Sequence, residues 1–159
     1  MNWLIKIIDF FYQKKKYSFL EKTISKEIDV LIDIGAHHGD TIAEFLTIFS
    51  IKKIYAFEPS KKNFNKLKRK VEKITKKNSV EVNIYQLGIG LKNDLLLLNE
   101  ISDGVSNTFN SLNTNSNYYK KKKIITTLFG IKKFINKKVP TKIIPLKEFM
   151  IQKKINQVD

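Results

Sequence analysis

The spacing of hydrophobic and polar positions changes period several times along the chain, and each change marks an element. Val30 to Ile34 is apolar and largely β-branched apart from Asp33, the pattern of a strand buried on both faces of a parallel sheet. A turn bounded by Gly35 and Gly39 follows. Ile42, Phe45, Leu46 and Phe49 then fall at i, i+3, i+4 and i+7, which predicts a helix from about Asp40 to Phe49. Lys53 to Phe57 reads as a second short strand, stopped at Glu58-Pro59 because proline cannot donate to a ladder. Ser60 suits an N-cap, and Phe64, Leu67, Val71 and Ile74 form the apolar stripe of the next helix, with its lysines on the solvent face. Val80 to Tyr85 makes a third strand leading into Gln86-Leu87-Gly88-Ile89-Gly90.

The alternation β-α-β-α-β predicts parallel strands joined by right-handed crossovers, an α/β architecture of the doubly wound, Rossmann-like kind. Further on, Leu95 to Leu98 reads as a strand, and Ser102 to Lys123 as a polar insertion able to act as a flexible segment or a lid. Ile124 to Ile135 reads as a helix, Val139 to Pro145 as a short strand, and Leu146 onward as a helical turn or two. No repeat or second domain is visible. Residues 1–28 form an N-terminal helical segment and 29–159 the main domain.

In residues 1–13, Asn2, Lys6, Asp9 and Gln13 recur at i, i+4, i+7 and i+11, a single polar stripe on an otherwise apolar helix. Such a helix would dock on the domain. Trp3, Phe10, Phe11 and Tyr12 running into Lys14, Lys15 and Lys16 also permit a peripheral membrane contact through residues 1–16. A secretory signal is disfavoured, because the basic residues follow the apolar stretch. No apolar run approaches the ~20 residues that span a bilayer. The absence of cysteine excludes disulfides and fits a cytoplasmic protein. The formal charge of +15, from 30 basic and 15 acidic residues, raises a nucleic-acid or membrane-binding module as an alternative. Arg69 is the only arginine and the lysines are spread throughout, which argues for a solvated lysine surface and against nucleic acid.

Two acids carry the candidate chemistry. Asp33, in an apolar strand just before the glycine turn, sits at the carboxyl end where open α/β sheets bind ligands. It can brace the turn or accept hydrogen bonds from a ligand's cationic amino group. Glu58 ends the second strand, about 20 residues after the turn, the usual place for an acid that accepts ribose hydroxyls. A dinucleotide turn favours G-x-G-x-x-G; here Ala36 and His37 stand where further glycines are expected, which suits S-adenosylmethionine (SAM), a ligand without a pyrophosphate. His37 and His38 invite a metal or general-base reading. Adjacent histidines seldom share an ion, and no carboxylate is spaced in sequence to complete a site, so no metal is expected.

The segments D-I-G-A-H-H-G-D and Y-A-F-E-P, followed by Q-L-G-I-G with Lys92 and Asn93, resemble the FkbM-type SAM-dependent methyltransferases. Ser102 to Leu112 and Val139 to Phe149 are similar in a looser way. The resemblance covers about residues 29–159 and implies a Rossmann-like class I methyltransferase, typically an O-methyltransferase acting on sugars, glycans or other small hydroxyl acceptors. It implies SAM contacts from Asp33, Gly35, Ala36, His37, Gly39 and Asp40, a ribose contact from Glu58 with Pro59 beside it, and an adenine end near Gln86 and Gly88. The family more often has asparagine at the His37 position, and an aspartate where Lys147 stands.

Only one side of the first strand has candidate neighbours, although its apolar character is that of a central strand. The expectation is therefore an N-terminal fragment, cut before the fourth core strand and not active alone, with acceptor-binding and catalytic residues elsewhere. An NAD-binding oxidoreductase domain is the alternative enzyme reading. The acceptor, the catalytic residues and the oligomeric state are not legible.

Overall fold

A computed structural model describes residues 19–101, 107–111, 113–117, 119–121, 124 and 136–159. The helix read at residues 1–13 lies outside those residues, the one read at 124–135 almost wholly so, and parts of the polar insertion (102–106, 112, 118, 122 and 123) lie outside them too. The described elements run β1 (Glu27–Ile34), α1 (Asp40–Phe45), β2 (Ser50–Phe57), α2 (Lys61–Thr75), β3 (Glu81–Tyr85), β4 (Gly88–Gly90), β5 (Asp94–Ile101), β6 (Asn136–Pro145) and α3 (Leu146–Gln152).

β1, β2 and β3 form a parallel sheet in that order, with Asp33 opposite Ala56 and Phe57 opposite Tyr85. Successive residues of β2 face opposite sides, as a pleated strand requires. Ile54 and Ala56 join the core made with Ile42, Leu67, Val71 and Ile74 of α1 and α2. Tyr55 and Phe57 join Tyr85, Val30, Ile32 and Phe149 of α3 on the other side. The two faces of the second half of β2 are therefore both covered, which explains the continuous apolar run from Ile54 to Phe57. Phe149 stands edge-on to Phe57 with ring centroids 4.8 Å apart, an arrangement that aromatic quadrupoles favour.

Several boundaries differ from the sequence reading. α1 stops at Phe45 and a turn follows, but Phe49 is still buried, so the apolar stripe serves the core without continuing the helix. β2 begins at Ser50 because parallel pairing with Glu27 extends it backward. β4, β6 and β5 form a second sheet, parallel between β4 and β6 and antiparallel between β5 and β6. The leucine run of β5 is consequently not a buried central strand: Leu95, Leu96 and Leu97 are 66%, 40% and 51% exposed, and Leu98 alone of the four is buried.

Within the described residues β1 is an edge strand, as anticipated. Asp159 lies against that edge: its Oδ2 accepts the N–H groups of Asp29 and Val30 at 2.8 and 3.1 Å, and its N–H donates to the Val30 carbonyl at 3.2 Å. No helix among the described residues is long and apolar enough to cross a membrane.

Candidate functional site

The first two strands end side by side, and the turn after β1 is fastened to the end of β2. The N–H groups of Gly35 and Ala36 both donate to the Phe57 carbonyl, at 2.8 and 2.9 Å. Gly35 (φ 85°), His37 (φ 51°) and Gly39 (φ 81°) are all left-handed, so the chain reverses within a few residues and enters α1. Gly39 has no room for a side chain, since a Cβ there would stand 2.8 Å from Leu67 Cδ1. Gly35 differs: a Cβ there would meet nothing within 4 Å, so the backbone at this point is open to a ligand.

Glu58, 4% exposed, closes the turn from the other side. Its Oε2 accepts the His37 N–H at 2.9 Å, its Oε1 accepts the Ser60 N–H at 2.9 Å, and its own N–H donates to the Tyr85 carbonyl at 3.1 Å. A carboxylate offers about four lone-pair positions. Each oxygen therefore retains accepting capacity beyond the bond that fixes it. Asp33 stands nearby, and its Oδ2 is buried without a hydrogen-bond partner among the described groups. Burial pushes the Asp33 carboxyl above its ordinary pKa, and the negative Glu58 pushes it further. The two acids anticipated from sequence thus lie close together at the strand ends, and Asp33 carries a buried acceptor without a partner among the described groups.

The remaining anticipated residues sort unevenly. Ala36 is buried behind the turn. Asp40 is exposed and its Oδ1 is held by the Lys70 ammonium, which keeps its carboxyl below the ordinary range. Pro59 follows Glu58 just past the end of β2. Gln86 is exposed just beyond Tyr85, beside the Glu58 end of the sheet. Gly88 is buried for packing, because a Cβ there would stand 2.5 Å from Ile143 Cδ1 and 3.1 Å from Phe109 Cζ.

The histidines need one correction. The left-handed turn at His37 stacks the two rings with centroids 3.6 Å apart, and it brings Asp40 close enough that ligand atoms of His37, His38 and Asp40 lie within 4.8 Å of one another. A carboxylate is therefore within reach, contrary to the reading from spacing. Lys70 already occupies that carboxylate, and His38 Nε2 is 3.2 Å from Asn63 Oδ1. Burial, with His37 and Lys66 alongside, lowers the His38 pKa.

Three polar residues of this region were not singled out for the site. Asn63 is 1% exposed and Ser60 2% exposed. The signal for Asn63 was a polar residue at a stripe position, one turn before Leu67. Ser60 occupies the N-cap position of α2, but its hydroxyl caps nothing; it donates to Glu100 Oε1 at 2.5 Å. Away from all this, a cleft of about 550 Å³ lies at the opposite end of the strands, where Lys52–Asp29 and Lys53–Glu81 ion pairs of 2.6 and 2.9 Å line it.

The chain belongs to the FkbM methyltransferase family: the Methyltransferase FkbM domain matches residues 33–159. The match begins at Asp33 and spans every element built above from α1 onward. No curated protein matches it significantly. Among solved structures it is similar to the crystal structure of Methyltransferase FkbM from Methylobacillus flagellatus KT, at 18% identity and a TM-score of 0.42. That similarity takes in 46% of this chain and 20% of the other, so the aligned part spans about a fifth of that protein's length.

Proposed function

We propose that this chain carries the SAM-binding half of a methyltransferase that acts on a hydroxyl of a sugar, glycan or other small acceptor. The observation that carries the reading is the pinned Glu58 carboxylate beside the partnerless Asp33 oxygen at the carboxyl end of a parallel sheet. Two carboxylates at that position suit a ligand with a vicinal diol and a cationic ammonium group, and SAM has both. Glu58 would accept the ribose hydroxyls. Asp33 would accept the ammonium directly or through water, which supplies the missing partner and favours its ionised form. Gly35, with open space at its Cα, would let the ligand pass close to the backbone.

SAM supplies an activated methyl group on a cationic sulfur; the described residues supply binding and orientation, the part of the reaction that depends on holding donor and acceptor in line. Selecting the acceptor and assisting its deprotonation would fall to groups other than those that line this cofactor site. The site is read as cytoplasmic, with residues 1–16 as the candidate membrane contact.

The NAD reading is disfavoured at one position. His37, with a side chain and a left-handed backbone, stands where a dinucleotide turn needs its second glycine for the pyrophosphate. Parallel titrations of the chain with SAM and with NAD test the choice: SAM should bind saturably and NAD should not.

A further inference from the structure

The ribose-facing carboxylate is not held by its own strand alone. Glu58 Oε1 takes the N–H of Ser60, and the hydroxyl of the same serine is taken by Glu100 Oε1, at 2.9 and 2.5 Å. Glu100 belongs to β5, in the second sheet, forty positions further along the chain. We propose that Glu100 is a positioning residue that fixes the Glu58 carboxylate through Ser60. This rests on the reading of Glu58 as the cofactor-binding acid.

A serine at the start of a helix ordinarily turns its hydroxyl back onto the free N–H groups of the first turn. Ser60 does not, and the acceptor that draws it away is a carboxylate, which binds a hydroxyl more strongly than a neutral group does. With the hydroxyl directed to β5, the serine backbone is fixed, and its N–H points at Glu58. Because Ser60 is buried, water cannot readily replace the Glu100 oxygen if it is lost.

The strand that carries Glu100 is itself tied down on both sides of it. Asn99 Nδ2 donates to the carbonyls of Thr108 and Asn110 at 3.3 and 3.0 Å. The Ile101 N–H donates to Asn107 Oδ1 at 2.9 Å. Three consecutive residues of β5 thereby join the start of the polar insertion to the Glu58 loop. Release of Glu100 frees the serine, and the freed serine no longer holds Glu58 against the His37 N–H.

The test reads that last bond directly. Residue-resolved amide exchange is measured for unaltered chain, Glu100→Ala and Glu100→Gln, alongside SAM titration of each. Glu100→Ala should speed exchange at His37 and Ser60 about threefold to tenfold, the range expected for one hydrogen bond. Exchange at Ile54, in the central strand, should not change. Glu100→Gln keeps an acceptor oxygen and should restore slow exchange at both positions. SAM affinity should follow the same order. Unchanged exchange at His37 and Ser60 in Glu100→Ala overturns the proposal, and so does a uniform acceleration that includes Ile54. If His37 and Ser60 respond as stated while the unaltered chain takes up no SAM, the positioning relation is upheld and the cofactor reading of Glu58 is what fails.

Discussion

The backbone N–H of His37 donates to the side chain of Glu58 at 2.9 Å, joining the turn after the first strand to the end of the second. One carboxylate thus shapes the turn and, in the proposed reading, also accepts from a ligand. Glu58→Gln replaces an acceptor with an amide that can satisfy only one of the two N–H groups facing it. A buried donor left unpaired costs about 1–3 kcal/mol. The variant should unfold at lower urea concentration and bind SAM about tenfold or more weakly, measured by chemical denaturation and calorimetric titration.

The two left-handed glycines of the turn should respond differently to the same substitution. Alanine in a left-handed conformation costs about 1–2 kcal/mol at either position. At Gly39 a clash with Leu67, a fully buried side chain, adds to that strain. At Gly35 the new methyl enters open space, on the side where the proposed reading puts the ligand. Gly39→Ala should therefore be the more destabilising in denaturation experiments. Gly35→Ala should lose more SAM affinity than its stability loss accounts for.

Asp33 should trade stability for binding. Its carboxyl keeps its proton to higher pH in the folded chain than in the unfolded one, so the folded state binds more protons across that window. Stability contributed by this residue consequently falls as pH rises from the ordinary aspartate value through the raised one. Asp33→Asn removes the buried charge and should raise the melting temperature at neutral pH by a few degrees, on the scale of about 2–4 °C per kcal/mol. The same variant should bind SAM poorly. In the unaltered chain SAM affinity should weaken as pH drops through the raised value, because protonated Asp33 no longer attracts an ammonium group.

Much of this site was legible before any coordinates, because local pattern and chemistry agreed there. An acid in an apolar strand, two glycines and an acid ahead of a proline all lie within short segments whose period fixes strand and helix. The second sheet was less legible. Leu95 to Leu98 reads as a strand from its composition, but its place in a second sheet, with Leu98 buried and the other three exposed, depends on antiparallel pairing with the distant β6. Ser60 was placed correctly at the start of α2, but its bond to Glu100 depends on a strand distant in sequence. The approach of Asp40 to the histidines likewise follows from the left-handed φ of His37, which residue spacing does not encode.

The account is tested most directly by titrating SAM and NAD into the chain and into Glu58→Ala under the same conditions. It predicts saturable SAM binding by the unaltered chain, loss of that binding in Glu58→Ala, and no NAD binding by either. SAM binding that survives Glu58→Ala, or NAD bound in preference to SAM, would contradict it.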